Sequence, residues 1–191
     1  MLKKMIAISL LAMMAGTVHA QTITFDDKVA STSTLVENGY NGFNWSNFYI
    51  LNSTNASYSG SSYAVGAISG TNVAYNGWGD DATISSNNAF VLSSAYLTDA
   101  WSNTTLTVTG YNNGASVWSQ TFALNTTSPT LVSFNTTPVT SVTFSNQGTH
   151  FAMDNLTIAA VPEPETYALM GVGLLGLLAA RRKKSLNTNE A

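Results

Sequence analysis

Thr105-Leu106-Thr107-Val108-Thr109-Gly110-Tyr111 places Leu106, Val108 and Gly110 on one side of the chain and hydroxyl-bearing residues on the other. A period of two is the signature of a half-buried strand. Ser116 to Leu124 repeats it, with Trp118, Gln120, Phe122 and Leu124 on one face. Between the two runs stands Asn112-Asn113-Gly114. Asn-Gly accepts positive φ and favours the type I′ turn that joins antiparallel strands, so 105–124 is predicted to be a hairpin. The period recurs at Ile23 and Phe25 and at Val142 and Phe144. A second hairpin is expected from Val139–Phe144 and Phe151–Ile158, joined across Asn146-Gln147-Gly148. Asn38-Gly39, Asn41-Gly42 and Asn76-Gly77 are further turn signals, and the Ser/Asn/Gly-rich stretch Asn52 to Ser62 is expected to be a long surface loop. No stretch between residues 21 and 160 holds an apolar i, i+3, i+4, i+7 pattern over three turns. Short strands at regular spacing predict an all-β fold, an antiparallel β-sandwich.

The segments outside 21–160 have a different chemistry. Met1 to Ala20 has Lys3 and Lys4, an apolar core from Met5 to Gly16, and Val18-His19-Ala20 with small residues at the two positions a signal peptidase reads. This predicts a secretory signal peptide over 1–20, cleaved between Ala20 and Gln21. At the other end, Val161-Pro162-Glu163-Pro164-Glu165-Thr166 cannot open a helix interior and reads as an extended linker. Tyr167 to Ala180 is apolar or small, and Arg181-Arg182-Lys183-Lys184 closes it. Fourteen helical residues span roughly 21 Å, short of the ~30 Å hydrocarbon core. A permanent anchor is normally longer, so the segment reads as a short apolar helix that engages the inner membrane transiently, with its cations on the cytoplasmic side. Gly171, Gly173 and Gly176 fit the spacing GxGxxG, but no βαβ unit surrounds them, so nucleotide binding is not expected there. Residues 185–191 form a polar tail.

Residues 161–184 resemble the PEP-CTERM sorting signal, through Pro162-Glu163-Pro164, the Gly-rich apolar run, and Arg181-Arg182-Lys183-Lys184. The resemblance implies recognition and cleavage by an exosortase, in a bacterium with two membranes that makes an extracellular polysaccharide. The region 21–160 has a resemblance of its own. Thr22-Ile23-Thr24-Phe25-Asp26-Asp27 opens it and Phe151-Ala152-Met153-Asp154-Asn155-Leu156-Thr157-Ile158 closes it. These motifs resemble the jelly-roll sandwich of carbohydrate-binding-module-like, galactose-binding-like exported domains. In that architecture the first and last strands run close together.

Charge narrows the function classes. Within 21–160 the acids are Asp26, Asp27, Glu37, Asp80, Asp81, Asp99 and Asp154, and the one base is Lys28, a formal charge of −6. Phosphate neutralisation needs Lys and Arg, so no nucleic-acid partner is expected. The chain has no cysteine, which excludes disulfides, thiolate catalysis and Cys-ligated zinc.

Three candidate sites follow. Asp26, Asp27 and Asp154 could hold a structural calcium, because the one base of the region, Lys28, cannot pair them all and the terminal strands would bring them together. The alternative is an Asx turn at Asp26-Asp27 and a backbone cap by Asp154. Trp45, Tyr49 and Trp78 could form a sugar platform, since rings stack on the C–H faces of sugars; Trp45 and Tyr49 lie in a stretch that interleaves aromatics with amides, and Asp80 and Asp81 follow Trp78. The alternative is core packing. Catalysis is the least supported: Asp80 and Asp81 are neighbours that would point to opposite strand faces, and His150 stands without a nucleophile-elbow motif. Abundant Asn, Ser and Thr account for the Asn-x-Ser/Thr tripeptides. The expectation is an exported, non-enzymatic protein of the cell surface or biofilm matrix, structural or adhesive within exopolysaccharide, or else a binding module for one defined glycan, with a hydrolase of envelope polymers as the third alternative.

Overall fold

The computed structural model describes residues 20–30, 32–161, 171–178 and 181. Eleven strands, all paired antiparallel, run β1 (Ala20–Ile23), β2 (Thr34–Leu35), β3 (Asn44–Ser46), β4 (Phe48–Asn52), β5 (Asn72–Asn76), β6 (Ala82–Asp99), β7 (Thr105–Asn112), β8 (Ala115–Ala123), β9 (Thr130–Ser133), β10 (Val139–Ser145) and β11 (Phe151–Ala160). One helical turn, α1 (Tyr63–Gly66), lies between β4 and β5.

The long strand β6 makes the sandwich. Its first part, Ala82–Ser85, runs between β3 and β10. Its second part, from Phe90 to Asp99, lies along β11, with β9 on the other edge at Ser94–Leu97. One layer is therefore β2-β4-β5-β11-β6-β9, with β1 on the end of β11, and the other is β3-β6-β10-β7-β8. Phe48 of β4 and Phe144 of β10 are four strand positions apart in hydrogen-bonding order, roughly 19 Å if the sheet were flat. Their ring centroids are 5.6 Å apart, so the layers face each other. The interior between them holds Phe25, Phe48, Phe90, Phe144 and Phe151, each at most 1 % exposed.

The predicted hairpin is present as β7–β8, with Asn112 opposite Ala115 and a two-residue turn at Asn113 (φ 50) and Gly114 (φ 83). Gly110 faces Trp118, and a Cβ there would lie 2.2 Å from Trp118 Cε2, so the indole needs that glycine. The second expected hairpin does not form. β10 pairs with β6 and β7, and β11 pairs with β1, β5 and β6. The turn through Gln147 (φ 50) and Gly148 (φ 82) instead carries the chain from one layer to the other. Phe144 and Phe151 then stack across the core at 5.8 Å rather than along a ladder. Sequence proximity and a turn signal are shared by hairpins and by such arches, and only burial of both rings separates the two.

The first and last strands do meet, with Ala20 opposite Ala159 and Gln21 opposite Ile158. Residues 53–71, which include most of the expected surface loop, leave the sheet with their ends tied by Ser53 N–H donating to the Thr71 carbonyl (2.8 Å). They fold over the outer face of the first layer, where Leu51, Tyr63, Val73, Tyr75, Ala100 and Ala152 form a second apolar cluster. By contact, residues 20–161 belong to one unit and the C-terminal residues to another. In the latter, 171–178 are helical, about 12 Å of helix, and among the described residues no helix is long and apolar enough to cross a membrane. The expected short apolar helix is thus found at 171–178. Residues 1–19 of the expected signal peptide and Pro162, Glu163, Pro164, Arg182, Lys183 and Lys184 of the sorting signal lie outside the described residues.

Candidate functional site

At one end of the first layer β4 and β11 begin and β5 and β6 end. Antiparallel pairing therefore gathers Tyr49, Tyr75, Trp78, Trp101 and His150, which are far apart in sequence. Tyr49 lies opposite Tyr75 in the β4–β5 register, with ring centroids 5.7 Å apart. Tyr75 meets His150 at 5.6 Å and Tyr63 at 5.5 Å, and Tyr63 meets Tyr58 at 5.4 Å and Trp101 at 6.1 Å. The belt is a base of buried rings with an exposed rim: Tyr63 is buried, while Trp101 is 55 % and Trp78 82 % exposed.

Polar groups lock this end. The Tyr63 hydroxyl lies 2.8 Å from His150 Nδ1, the Tyr75 hydroxyl 2.6 Å from Ser33 Oγ, and the Tyr58 hydroxyl donates to the Thr32 carbonyl. Burial pushes the Tyr58, Tyr63 and Tyr75 hydroxyls above the ordinary tyrosine value and His150 below the ordinary imidazole value. Near neutral pH these groups are uncharged and hold one another and the neighbouring chain by neutral hydrogen bonds.

Trp78 is displayed by a strained turn. It has φ 59 and ψ 8, left-handed values that are rare for a bulky residue and costly enough to need support from the surroundings. Asn47 Nδ2 donates to the carbonyls of Gly77 (3.0 Å) and Asp81 (3.1 Å). Asn76, fully buried, donates from Nδ2 to the carbonyls of Asp80 (3.1 Å) and Thr149 (2.9 Å) and accepts from Phe151 N–H (3.0 Å). The glycines on either side let the turn sit close: a Cβ on Gly77 would be 2.4 Å from the Tyr49 ring, and one on Gly79 2.6 Å from the Gly148 carbonyl oxygen.

The three expected sugar-platform residues therefore part company. Tyr49 and Trp78 belong to this end. Trp45 does not: it is 4 % exposed, packs edge-on against Phe25 and Phe48, and donates its indole N–H to the Tyr40 carbonyl at 2.9 Å. Alternation along β3 turns Asn44 and Ser46 outward and Trp45 inward. Tyr63 and Tyr75 were not legible as partners. The one local signal is the density of aromatics beside strand ends, at Tyr75, Trp78 and Trp101.

The expected calcium ligands also separate. Asp27 accepts from the Tyr40 hydroxyl at 2.6 Å, and Lys28 Nζ lies 4.6 Å from the centroid of the same ring. Asp26 and Asp154 do converge, on residues 68–72. Asp154 accepts from the backbone N–H groups of Ile68 (2.7 Å), Ser69 (2.8 Å) and Asn155 (2.6 Å), and Asp26 from those of Thr71 (3.0 Å) and Asn72 (3.1 Å). The Ser69 hydroxyl joins them, 3.2 Å from Asp26 Oδ2 and 2.8 Å from Asn155 Oδ1. These oxygens receive the positive ends of backbone dipoles, which satisfies the carboxylates without a cation, whereas calcium needs six to eight oxygen ligands. Among the described residues no group of three acidic, His or Cys side chains could hold a metal. The donor set does not fit calcium; the carboxylates clamp the loop themselves.

This clamp has a pH signature. Burial, followed in the same direction by the charge of Asp26, raises the Asp154 carboxyl above the ordinary carboxylate value, although backbone donors oppose the shift. A folded-state pKa above the unfolded one means that the native protein holds the proton more tightly. Stability should therefore rise as pH falls through the folded pKa towards the ordinary value near ~3.9, and be lower above it. Carbon-13 titration of the Asp154 carboxyl should show the raised pKa, and an Asp154→Asn variant should lose this part of the pH dependence of the melting temperature.

The residues weighed for catalysis lie at this end as well. Asp80 and Asp81 are both exposed beside the Trp78 turn, and His150 Nδ1 is engaged by Tyr63. A cleft of about 310 Å³ at the opposite end of β11, lined by Gln21, Asn41, Phe43, Ser86, Asn88 and Phe90 among others, contains no ionisable side chain.

Residues 160–183 match the PEP-CTERM protein-sorting motif. No curated protein sequence matches the chain. Among solved structures it is similar to the CBM22-1 xylan-binding domain of Paenibacillus barcinonensis Xyn10C, with 12 % identity over 78 % of this chain and 97 % of that one, TM-score 0.42. It is also similar to TmCBM61 in complex with β-1,4-galactotriose, with 8 % identity over 69 % and 100 % of the two chains, TM-score 0.37. A Ruminococcus gnavus GH29 fucosidase in complex with fucose is similar at 8 % identity over 66 % of this chain and 26 % of the enzyme, TM-score 0.33.

Proposed function

We propose that this exported protein, sorted through the motif at 160–183, is processed there by an exosortase and uses its aromatic end to hold extracellular polysaccharide at the cell surface or in the matrix. The role is structural or adhesive, and no reaction is assigned. The observation that carries the reading is Trp78: a large ring, 82 % exposed, held in a costly left-handed conformation by two committed asparagines. Exposure of such a ring gains nothing for folding, and strain maintained by its surroundings points to use. The placement suits the role. β11 begins beside the aromatic end and runs ten residues, roughly 30 Å, to Ala160, where the sorting motif starts.

Two experiments test this. Trp78→Ala should weaken retention on polysaccharide by about tenfold or more while leaving stability within ~0.5 kcal/mol, because the ring touches solvent rather than the core. Unchanged retention would remove the site. Mass spectrometry of the protein from its native host should find it ending near Pro162-Glu163-Pro164, and deletion of the exosortase should restore Arg181 through Ala191. Tail residues retained in the presence of an active exosortase would refute the processing.

A further inference from the structure

We infer that the aromatic end is built for uncharged glycan chains and rejects those bearing uronate or sulfate groups. The inference rests on the sugar-binding reading above and adds the ligand class. Recognition of a carboxylate or sulfate takes a cation, most effectively the paired N–H donors of Arg. The region 21–160 contains no Arg and a single Lys, Lys28. That lysine is committed elsewhere: its ammonium sits over Tyr40, and its backbone carbonyl takes the Asn72 side chain (2.8 Å), at the end of β5 away from Trp78.

The local charges at the aromatic end are negative instead. Asp80 and Asp81 follow Trp78 and are both exposed. Among the described residues of 21–160 Lys28 is the one candidate cation, and it is turned to Tyr40, so it pairs with neither. Asp99, close by in sequence to Trp101, is fully buried and committed to Thr104 N–H (2.6 Å) and Asn146 Nδ2 (3.0 Å), so it adds charge without offering a ligand contact. His150, half-buried and bound to Tyr63, stays neutral near pH 7 and supplies no cation. A polyanion arriving at Trp78 would meet two carboxylates with no counter-charge. A neutral chain would find ring faces for its C–H surfaces and carries no charge for the carboxylates to repel.

The test is affinity electrophoresis of the full chain, in mild detergent and with chelator present, through gels holding a neutral β-glucan, a neutral β-galactan, a neutral xylan, a polyuronate or a sulfated galactan. Retardation is expected from at least one neutral polymer, reduced about tenfold in affinity by Trp78→Ala. From the two polyanions at low salt, no retardation that depends on Trp78 is expected, the cations of 1–20 and 181–184 acting independently of the ring. An Asp80→Asn/Asp81→Asn double variant should keep its neutral-polymer affinity within about threefold and narrow the gap to the polyanions, more so at low than at high salt. Thermal melts of each variant confirm that it is folded. A polyanion that binds the wild type as tightly as any neutral polymer, in a Trp78-dependent way, would overturn the ligand class and leave sugar binding standing. Binding by none of the five polymers would count against sugar binding itself, and the ligand class would fall with it.

Discussion

Replacing Asn76 with alanine is expected to cost about 3 kcal/mol or more and to abolish polysaccharide retention together with it. Asn76 is fully buried and serves three backbone groups at once: the carbonyls of Asp80 and Thr149 and the N–H of Phe151. Each of these is left without its partner in the alanine variant, and a buried group so orphaned costs about 1–3 kcal/mol. The three groups belong to the Trp78 turn, the arch after β10 and the start of β11, so one side chain joins three of the segments that frame the aromatic end. Asn76→Asp should cost no less, because a buried carboxylate would face the two carbonyl oxygens. Its carboxylate can still accept from Phe151 but cannot donate to either carbonyl. Denaturant midpoints measure the stability, and affinity electrophoresis the binding. An alanine variant as stable as the wild type would show that water replaces the side chain and that the turn is held by Asn47 alone.

Phe48→Ala is expected to cost about 3–5 kcal/mol, the range for removing a buried phenyl ring. Phe48 is fully buried, and its ring meets Trp45 at 5.2 Å, Phe144 at 5.6 Å and Phe151 at 6.2 Å. Those partners come from β3, β10 and β11, hence from both layers, and β11 cannot relax towards the void without disturbing its pairing with β5 and β6. Domains of this size are stable by some 5–15 kcal/mol, so the change consumes a large share. The contrast with Trp78 is the informative part: of two large aromatic residues, one should move stability and leave the ligand contacts alone, and the other should do the reverse. Urea unfolding of both variants under one set of conditions makes the comparison. A Phe48→Ala loss below about 1 kcal/mol would mean that the layers are not packed as described.

The residues differ in how far ahead of the structure they could be read. The β7–β8 hairpin was legible because its cause is local: Asn113-Gly114 tolerates positive φ, and the period of two continues on both sides. The segment after β10 carries a similar signal at Gln147-Gly148, yet there the chain crosses to the other layer. Local backbone preference decides that a turn forms and says nothing about which strand the next run will lie against. Tyr49 and Trp78 were identified among the candidate residues, but so was Trp45, because composition does not distinguish a ring at the surface from one in the core. Asp26 and Asp154 were rightly expected to approach each other, whereas Asp27 went to Tyr40. Neighbouring residues in a turn diverge, and the partner of each is set by what lies on its side.

Properties that depend on local sequence or on composition were therefore open to reading from the chain alone: the sorting motif, the strand period, the Asn-Gly turn, the absence of thiols and the single lysine between 21 and 160. These act through backbone dihedrals, side-chain alternation and net charge, none of which needs a fold to be stated. The division of β6 between two layers, the arch at 146–149, the burial of Trp45 and the gathering of Tyr49, Tyr63, Tyr75, Trp78, Trp101 and His150 at one end came from long-range closure. There the outcome is a competition among many distant pairings, won by the one that buries the most rings while leaving the fewest polar groups unpaired.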